Sequence, residues 1–371
     1  NISQIYRVRG DSASALKYLE QSLSIYREIG NKPGEGTALN NIGQIYQTQG
    51  NYTAALPLYE QHLIICRKIG NKAGEDCALN NIGNIHRVLG DYAAALAYLE
   101  QSLTIQREIG NRYGEGATLN SISLIYQLQG DYATALNYAE QSLVICRETG
   151  NRIGEGRTLH SLATIAYAKG DNTTALPLYE QTLIISREVS DKAGEGMTLN
   201  CISLIYQAQG DYTIALNYAE QSLTIQRQIG DRAGEDCALS NIGNIHRVLG
   251  DYAAALAYLE QSLTIQREIG NRYGEGATLN CISQVYQPQG DYATALTYLK
   301  QSLSIHQDLG NKAGEAITSW NIGMIYEEQG DLNKAEQYMH HAVEIAEEIR
   351  YPDLDEWHEA LEELRAKLRD L

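Results

Sequence analysis

The sequence predicts an all-α chain, a solenoid of antiparallel helix pairs, and three observations carry that prediction. The chain repeats itself every 40 residues over most of its 371 positions, without a visible insertion. A glycine falls about every 20 residues, from Gly10 to Gly330, with Asp or Asn nearly always next; Ser190 breaks the series. Between these glycines the apolar residues recur at helical spacing: Leu39, Ile42, Ile45 and Tyr46 in one segment, Ala55, Leu56, Tyr59 and Leu63 in the next.

Each element follows from the same chemistry. Glycine accepts the left-handed conformation that closes a helix, and the Asp or Asn after it caps the next helix through free backbone N–H groups. The dipeptides thus read as tight corners between helices of about 18 residues, roughly 27 Å long. Residues 1–30 hold a truncated first repeat, residues 31–350 eight full helical hairpins, and residues 351–371 depart from the repeat. There Leu354, Trp357, Leu361 and Leu364 space an amphipathic, acidic helix suited to capping the last repeat. Pro57 and Pro177 fall inside second helices and are expected to bend them; Pro288 removes a donor near the end of a first helix. Residues 73–120 and 233–280 differ only at Asn80 versus Ser240, a block duplication. In these blocks His86 and His246 stand where other repeats have Tyr, which predicts a packing substitution for each.

The run Ala-Leu-Asn-Asn-Ile-Gly-x-Ile-Tyr, then Gly-Asp-Tyr, then Ala-Leu-x-Tyr resembles the tetratricopeptide (TPR) motif. Gly43, Tyr46, Ala55 and Tyr59 match its packing positions. The 40-residue period and "EIGNRYGEG" are similar to the sub-type of the LGN/Pins adaptors and many bacterial arrays. The resemblance implies a right-handed superhelix whose first helices line a concave groove.

The net charge is −17, and the last 51 residues hold 14 acidic against 5 basic side chains. Such a chain repels phosphate backbones, so nucleic acid is not an expected partner. No apolar run approaches the roughly 20 residues that span a bilayer, so no membrane is expected. The start, "NISQIYRVRG", has neither an initiator Met nor a signal-peptide core, and it reads as a stretch from inside a larger parent. The six cysteines form no C-x-x-C pair and recur at repeat spacing, which suggests small buried or groove residues in a reducing cytoplasm.

If first helices line a groove, the positions facing it can be read at 40-residue spacing. One row gives Asn40, Asn80, Asn120, His160, Asn200 and Asn280; the next gives Asn41, Asn81 and Asn241. This looks like the asparagine ladder of peptide-binding TPR proteins. An amide donates and accepts, so it can pair with each peptide group of an extended ligand. Further along come Gln44, Asn84, Leu124, Leu204 and Asn244, then Arg87, Gln127, Gln207 and Arg247. This mixture suits an extended segment with apolar anchors and acidic groups. Only one repeat keeps the LGN-type "GEGR" arginine, Arg157, and the paired cations of chaperone-binding carboxylate clamps are missing. Ala166 replaces the usual Tyr beside His160 and Arg157, which fits either a pocket or a loosened joint.

No phosphate loop, nucleophile elbow or metal-spaced cluster is present in the sequence, so neither catalysis nor a cofactor or metal is expected. The leading expectation is a non-catalytic, monomeric, cytoplasmic scaffold that binds a protein or peptide segment in its groove. The alternative is the regulatory arm of a larger enzyme, such as a CHAT-type protease or a signalling NTPase. End-to-end stacking through the truncated first repeat is a further expectation.

Overall fold

The computed structural model describes residues 12–369. The truncated helix expected in residues 1–10 lies outside them. Among the described residues there are eighteen α-helices, one short 3-10 segment and no strand. Backbone contacts divide the chain into two compact units, up to Val189 and from Ser190.

Among the described residues unit 1 comprises α1 (Ser12–Glu28) and then four pairs. These are α2 (Lys32–Thr48) with α3 (Tyr52–Ile69), α4 (Lys72–Val88) with α5 (Tyr92–Ile109), α6 (Arg112–Leu128) with α7 (Tyr132–Glu148), and α8 (Arg152–Ala168) with α9 (Asn172–Glu188). Unit 2 has four pairs and a final helix: α10 (Lys192–Ala208) with α11 (Tyr212–Ile229), α12 (Arg232–Val248) with α13 (Tyr252–Ile269), α14 (Arg272–Tyr286) with α15 (Tyr292–Asp308), α16 (Lys312–Glu328) with α17 (Leu332–Ile349), then α18 (Leu354–Arg369). Within each unit every helix packs on the next, the repeat-to-neighbour arrangement of a solenoid.

The corners work by the chemistry that the dipeptides imply. Gly70 sits at φ 71°, and the Asn71 N–H returns to the Cys66 carbonyl at 2.9 Å, closing α3. The Asn71 side chain then accepts from the Gly74 N–H at 3.1 Å, opening α4. Asp91, Asn111 and Asp131 repeat the cap, whereas Asp211 makes no side-chain cap bond. Ser190 holds φ 58° at a corner where every other described repeat uses glycine except the last, which has Arg350 at φ 54°. A side chain there costs about 1–2 kcal/mol, partly offset because glycine loses more freedom on folding. Ser190→Gly is therefore expected to add roughly 0.5–1 kcal/mol of stability, read as a higher denaturation midpoint. Helices α3 and α9 run through Pro57 and Pro177 without interruption. Helix α14 instead tightens at its end into a 3-10 turn, Gln287–Gln289, around Pro288.

The core of a pair is a trade of volume between facing positions. Tyr59 lies on Gly43, where a Cβ would meet its ring at 2.8 Å. Leu99 lies on Gly83 and Leu259 on Gly243 in the same way, at 2.7 Å. Where the second helix carries a small residue, Ala139 or Ala219, the first carries Ser123 or Ser203. Those hydroxyls donate back to the Ala135 and Ala215 carbonyls at 2.7 Å. Beside this layer Tyr126 stacks on Tyr138, with 5.7 Å between ring centroids. His86 stacks on Tyr98 at 5.5 Å and His246 on Tyr258 at 5.6 Å, so each His is a ring in the Tyr slot. In α18, Leu361 and Leu364 are buried against Met339 and Val343, and Trp357 stacks on Trp320 at 4.7 Å.

A charged clamp ties one pair to the next. The glutamate of the "GE" step is buried at the start of every described first helix but one, Glu75 being partly exposed. Glu115 takes Arg107 at 2.8 Å from the preceding second helix and Arg112 at 2.6 Å from its own. Arg112 also reaches Glu148 of the following helix. Glu35, Glu155, Glu235 and Glu275 are held by equivalent pairs of cations. Glu315 departs from this, with Lys312, Gln307 and His341 around it.

Candidate peptide-binding face

Successive first helices touch directly: α4 with α6 and α6 with α8 in unit 1, then α10 with α12, α12 with α14 and α14 with α16 in unit 2. Second helices make no comparable approach among the described residues. Each stack is thus tighter on its first-helix side, which makes that side concave within each unit. The residues expected to face a groove are partly accessible on these helices, with two exceptions. Arg157 is exposed, and Asn241 is buried.

The asparagines are not the open amides that the sequence suggests. Asn81 Nδ2 donates to Asn40 Oδ1 at 3.1 Å, Asn241 Nδ2 to Asn200 Oδ1 at 3.1 Å, and Asn321 Nδ2 to Asn280 Oδ1 at 2.9 Å. Residues 41 apart therefore link neighbouring first helices. Asn241 also donates to Ser203 at 3.0 Å, which uses both its amide hydrogens. Where the linking partner is Ser, the pairing changes. Asn80 donates to Thr118 at 2.8 Å and accepts from Asn84 at 2.9 Å. Ser161 bonds its own helix at the Arg157 carbonyl, and Asn120 Oδ1 is left buried without a protein partner.

Three further buried atoms on the same face share that condition: Arg87 Nε, Gln127 Oε1 and Asn241 Oδ1. Buried polar atoms are paired in the great majority of cases, and each exception calls for a reason. The arginines sharpen the point. Those at the ends of second helices and the starts of first helices serve the glutamate clamps. Among the described residues Arg87, Arg157 and Arg247 make no ion pair, and Arg247 has a 3.5 Å contact to Asn244. An apolar shelf lies alongside: Leu124 and Leu204 are half-buried, while Val88 and Leu128 are about half exposed.

His160 packs edge-on against Tyr179, with 5.3 Å between ring centroids. Tyr179 is buried and its hydroxyl meets Thr164 at 3.0 Å. Ala166 is itself buried, in an unbroken helix. Burial pushes the His160 imidazole down to about 4. Burial raises the Cys281 thiol, against the opposing charge of Arg247 and a hydrogen bond from Asn244. None of the six cysteines is in a disulfide; Cys66 and Cys146 are buried, while Cys237, expected to be buried or in the groove, is exposed. Among the described residues no group of three His, Cys, Asp or Glu side chains is arranged to hold a metal ion, and no helix is long and apolar enough to cross a membrane.

Two features of this face are not visible in the sequence. One is the wiring of the asparagines to each other, which needs the packing of helices one repeat apart. The other is the pairing of nearly all corner arginines, which isolates Arg87, Arg157 and Arg247. The recurrence of Arg or Lys beside "GE" was the available signal for it.

Comparison with known proteins agrees with this architecture. No curated protein sequence matches the chain. Among solved structures, the STAND signal-transduction ATPase with a tetratricopeptide repeat sensor from Pyrococcus horikoshii is similar at TM-score 0.68 and 16% identity, over 95% of this chain and 54% of that one. The chain thus spans about half the length of that ATPase. The apo quorum sensor NprR from B. thuringiensis is similar at TM-score 0.68 and 16% identity, over 93% of this chain and 99% of that one. The Rap conjugation gene regulator of plasmid pLS20, in complex with the Phr* peptide, is similar at TM-score 0.62 and 13% identity, over 91% and 97%. Tetratricopeptide repeats match residues 1–68, 75–148, 114–188, 154–228, 194–268, 234–305 and 274–348, so the chain belongs to the tetratricopeptide repeat family.

Proposed function

We propose that this chain is a non-catalytic interaction scaffold whose concave first-helix face binds an extended peptide segment. The observation that carries the reading is that Arg87 and Arg247, half-buried on that face, meet no carboxylate among the described residues, whereas the corner arginines are paired with glutamates. The linked asparagines fit the same role. In a pair such as Asn40 and Asn81, one Oδ1 and one N–H are spent on the link. The Asn40 NH2 and the Asn81 carbonyl remain, one donor and one acceptor, which complements a peptide unit. Asn280 with Asn321 repeats this, whereas Asn241 is buried on its link to Asn200, and Gln44, Leu124, Leu204 and Gln207 supply the neighbouring contacts. The Rap regulator, solved with its Phr* peptide, lends support as a protein of similar fold.

The test is selection from a random twelve-residue peptide library on the intact chain, followed by binding of the enriched synthetic peptides. Leu124→Glu with Leu204→Glu is expected to weaken binding at least tenfold, about 1.4 kcal/mol. Ile64→Glu with Ile184→Glu, on exposed positions of second helices, is expected to leave it unchanged. The opposite pattern overturns the assignment of the face. A second reading, the sensor arm of a signalling NTPase, draws on the likeness to the sensor-bearing STAND ATPase. A nucleotide-binding sequence in the parent reading frame would favour it, and it leaves the binding face unchanged.

A further inference from the structure

We propose that each unit carries its own copy of one anion-anchoring site, so that a single chain holds two extended acidic segments at once. This rests on the groove reading and adds the chemistry and number of the ligands. The duplicated block supplies the two copies. Residues 73–120 lie in unit 1 and residues 233–280 in unit 2, and they differ at one position. Arg87 and Arg247 are therefore presented from the same turn of equivalent helices, beside Asn84 and Asn244. Ser121 stands next to the first copy and Cys281 next to the second; the charge of Arg247 bears on the Cys281 thiol.

Three facts set these arginines apart from the rest. The chain is strongly acidic, and its corner arginines are consumed by buried glutamates. Among the described residues Arg87 and Arg247 meet no carboxylate, and the Nε of Arg87 is buried without a partner. Both are half-buried on a concave face, where water screens a charge less than on an open surface. A carboxylate accepting from the guanidinium fork is the ligand group that this geometry satisfies.

The flanks of the two copies differ, and they give each site its own register. In unit 1 the apolar neighbours lie on the following first helix, at Leu124 and Leu128, and the preceding helix offers Gln44. In unit 2 the order reverses: Leu204 lies on the preceding helix, and the following one offers Gln284. Neighbouring helices pack at about 8–10 Å, which an extended peptide crosses in about three residues. The ligand of unit 1 thus has an apolar residue about three positions to one side of its acidic residue. The ligand of unit 2 has it to the other side.

The probe is the random twelve-residue library, selected separately on the intact chain and on its Arg87→Gln, Arg247→Gln and double variants. Two classes of Asp- or Glu-containing peptides are expected, with the acid and the apolar residue in opposite order. Synthetic representatives are expected to bind together without competing, one of each per chain by calorimetry. Arg87→Gln should weaken one class about tenfold or more and spare the other. Arg247→Gln should do the reverse, and Lys300→Gln, at an exposed position of a second helix, neither. Enriched peptides without acidic residues, one class only, or competition between the classes would overturn the two-site inference while leaving a peptide-binding groove. A wild-type chain that enriches no peptide overturns both. The variants must melt as the wild type does; if one does not, charge-preserving Arg87→Lys or Arg247→Lys replaces it, and equal weakening of both classes then counts against the proposal.

Discussion

Replacing Tyr59 with Ala is expected to destabilise the first helix pair of unit 1 by about 3–5 kcal/mol, the range for removing a large buried aromatic. Tyr59 is fully buried, its ring rests on Gly43, and its hydroxyl bonds Gln47 Oε1 at 2.8 Å. The first helix offers no side chain to refill the space, because glycine is what admitted the ring. Tyr59→Leu should lose much less, since Leu99 fills the equivalent slot over Gly83. In a repeat array each pair contacts only its neighbours, so the damage should stay local. Hydrogen exchange is expected to quicken in residues 32–88 and to stay unchanged in unit 2. An effect of Tyr59→Ala under about 1 kcal/mol, or one as large for Tyr59→Leu, would contradict the volume trade.

Lowering the pH from 7 to 4 is expected to withdraw up to about 3 kcal/mol of stability through His160 alone. Its imidazole titrates near 4 in the folded chain against an ordinary value of 6.5. The unfolded chain takes up the proton first, so the contribution is complete above about 6.5 and is lost as the pH falls through about 4. Part of the side chain still meets solvent, which makes the figure an upper bound. The clamps add a second, lower window. Burial raises the Glu115 carboxyl, but the hydrogen bonds and charges of Arg107 and Arg112 outweigh it and hold the group below the usual range. Glu155, Glu235 and Glu275 behave likewise. Their contribution is present above about 4.5 and is lost as the pH falls through their lowered values. Urea midpoints of the chain and of His160→Gln should therefore diverge between pH 6.5 and 4, with the variant flatter. Identical slopes in that range would show that His160 carries no such shift.

The helices and corners were legible because their determinants are local. A glycine and its following Asp or Asn fix each turn whatever lies nearby, and the apolar spacing fixes the buried face. The candidate face was legible only as rows of residues. Asn81 and Asn40 are 41 positions apart, and only packed helices show that they spend part of their capacity on each other. Position in a motif also hid a second role. The glutamate of "GE" read as part of a family signature, and the structure shows it as the buried junction of Arg107 and Arg112. That pairing is what leaves Arg87 and Arg247 distinctive, a contrast no single repeat displays. Ser190 stood out as an exception in the glycine series, and its positive φ shows that the corner persists without glycine.

On this reading ligands bind the concave first-helix faces. Hydrogen exchange of the intact chain, with and without a library-selected peptide, tests it most directly. Protection is expected in the later turns of the first helices, around residues 80–88, 120–128 and 240–248, with no change along second helices such as Tyr52–Ile69 and Asn172–Glu188. Protection confined to the second helices, with the first helices unchanged, would contradict it.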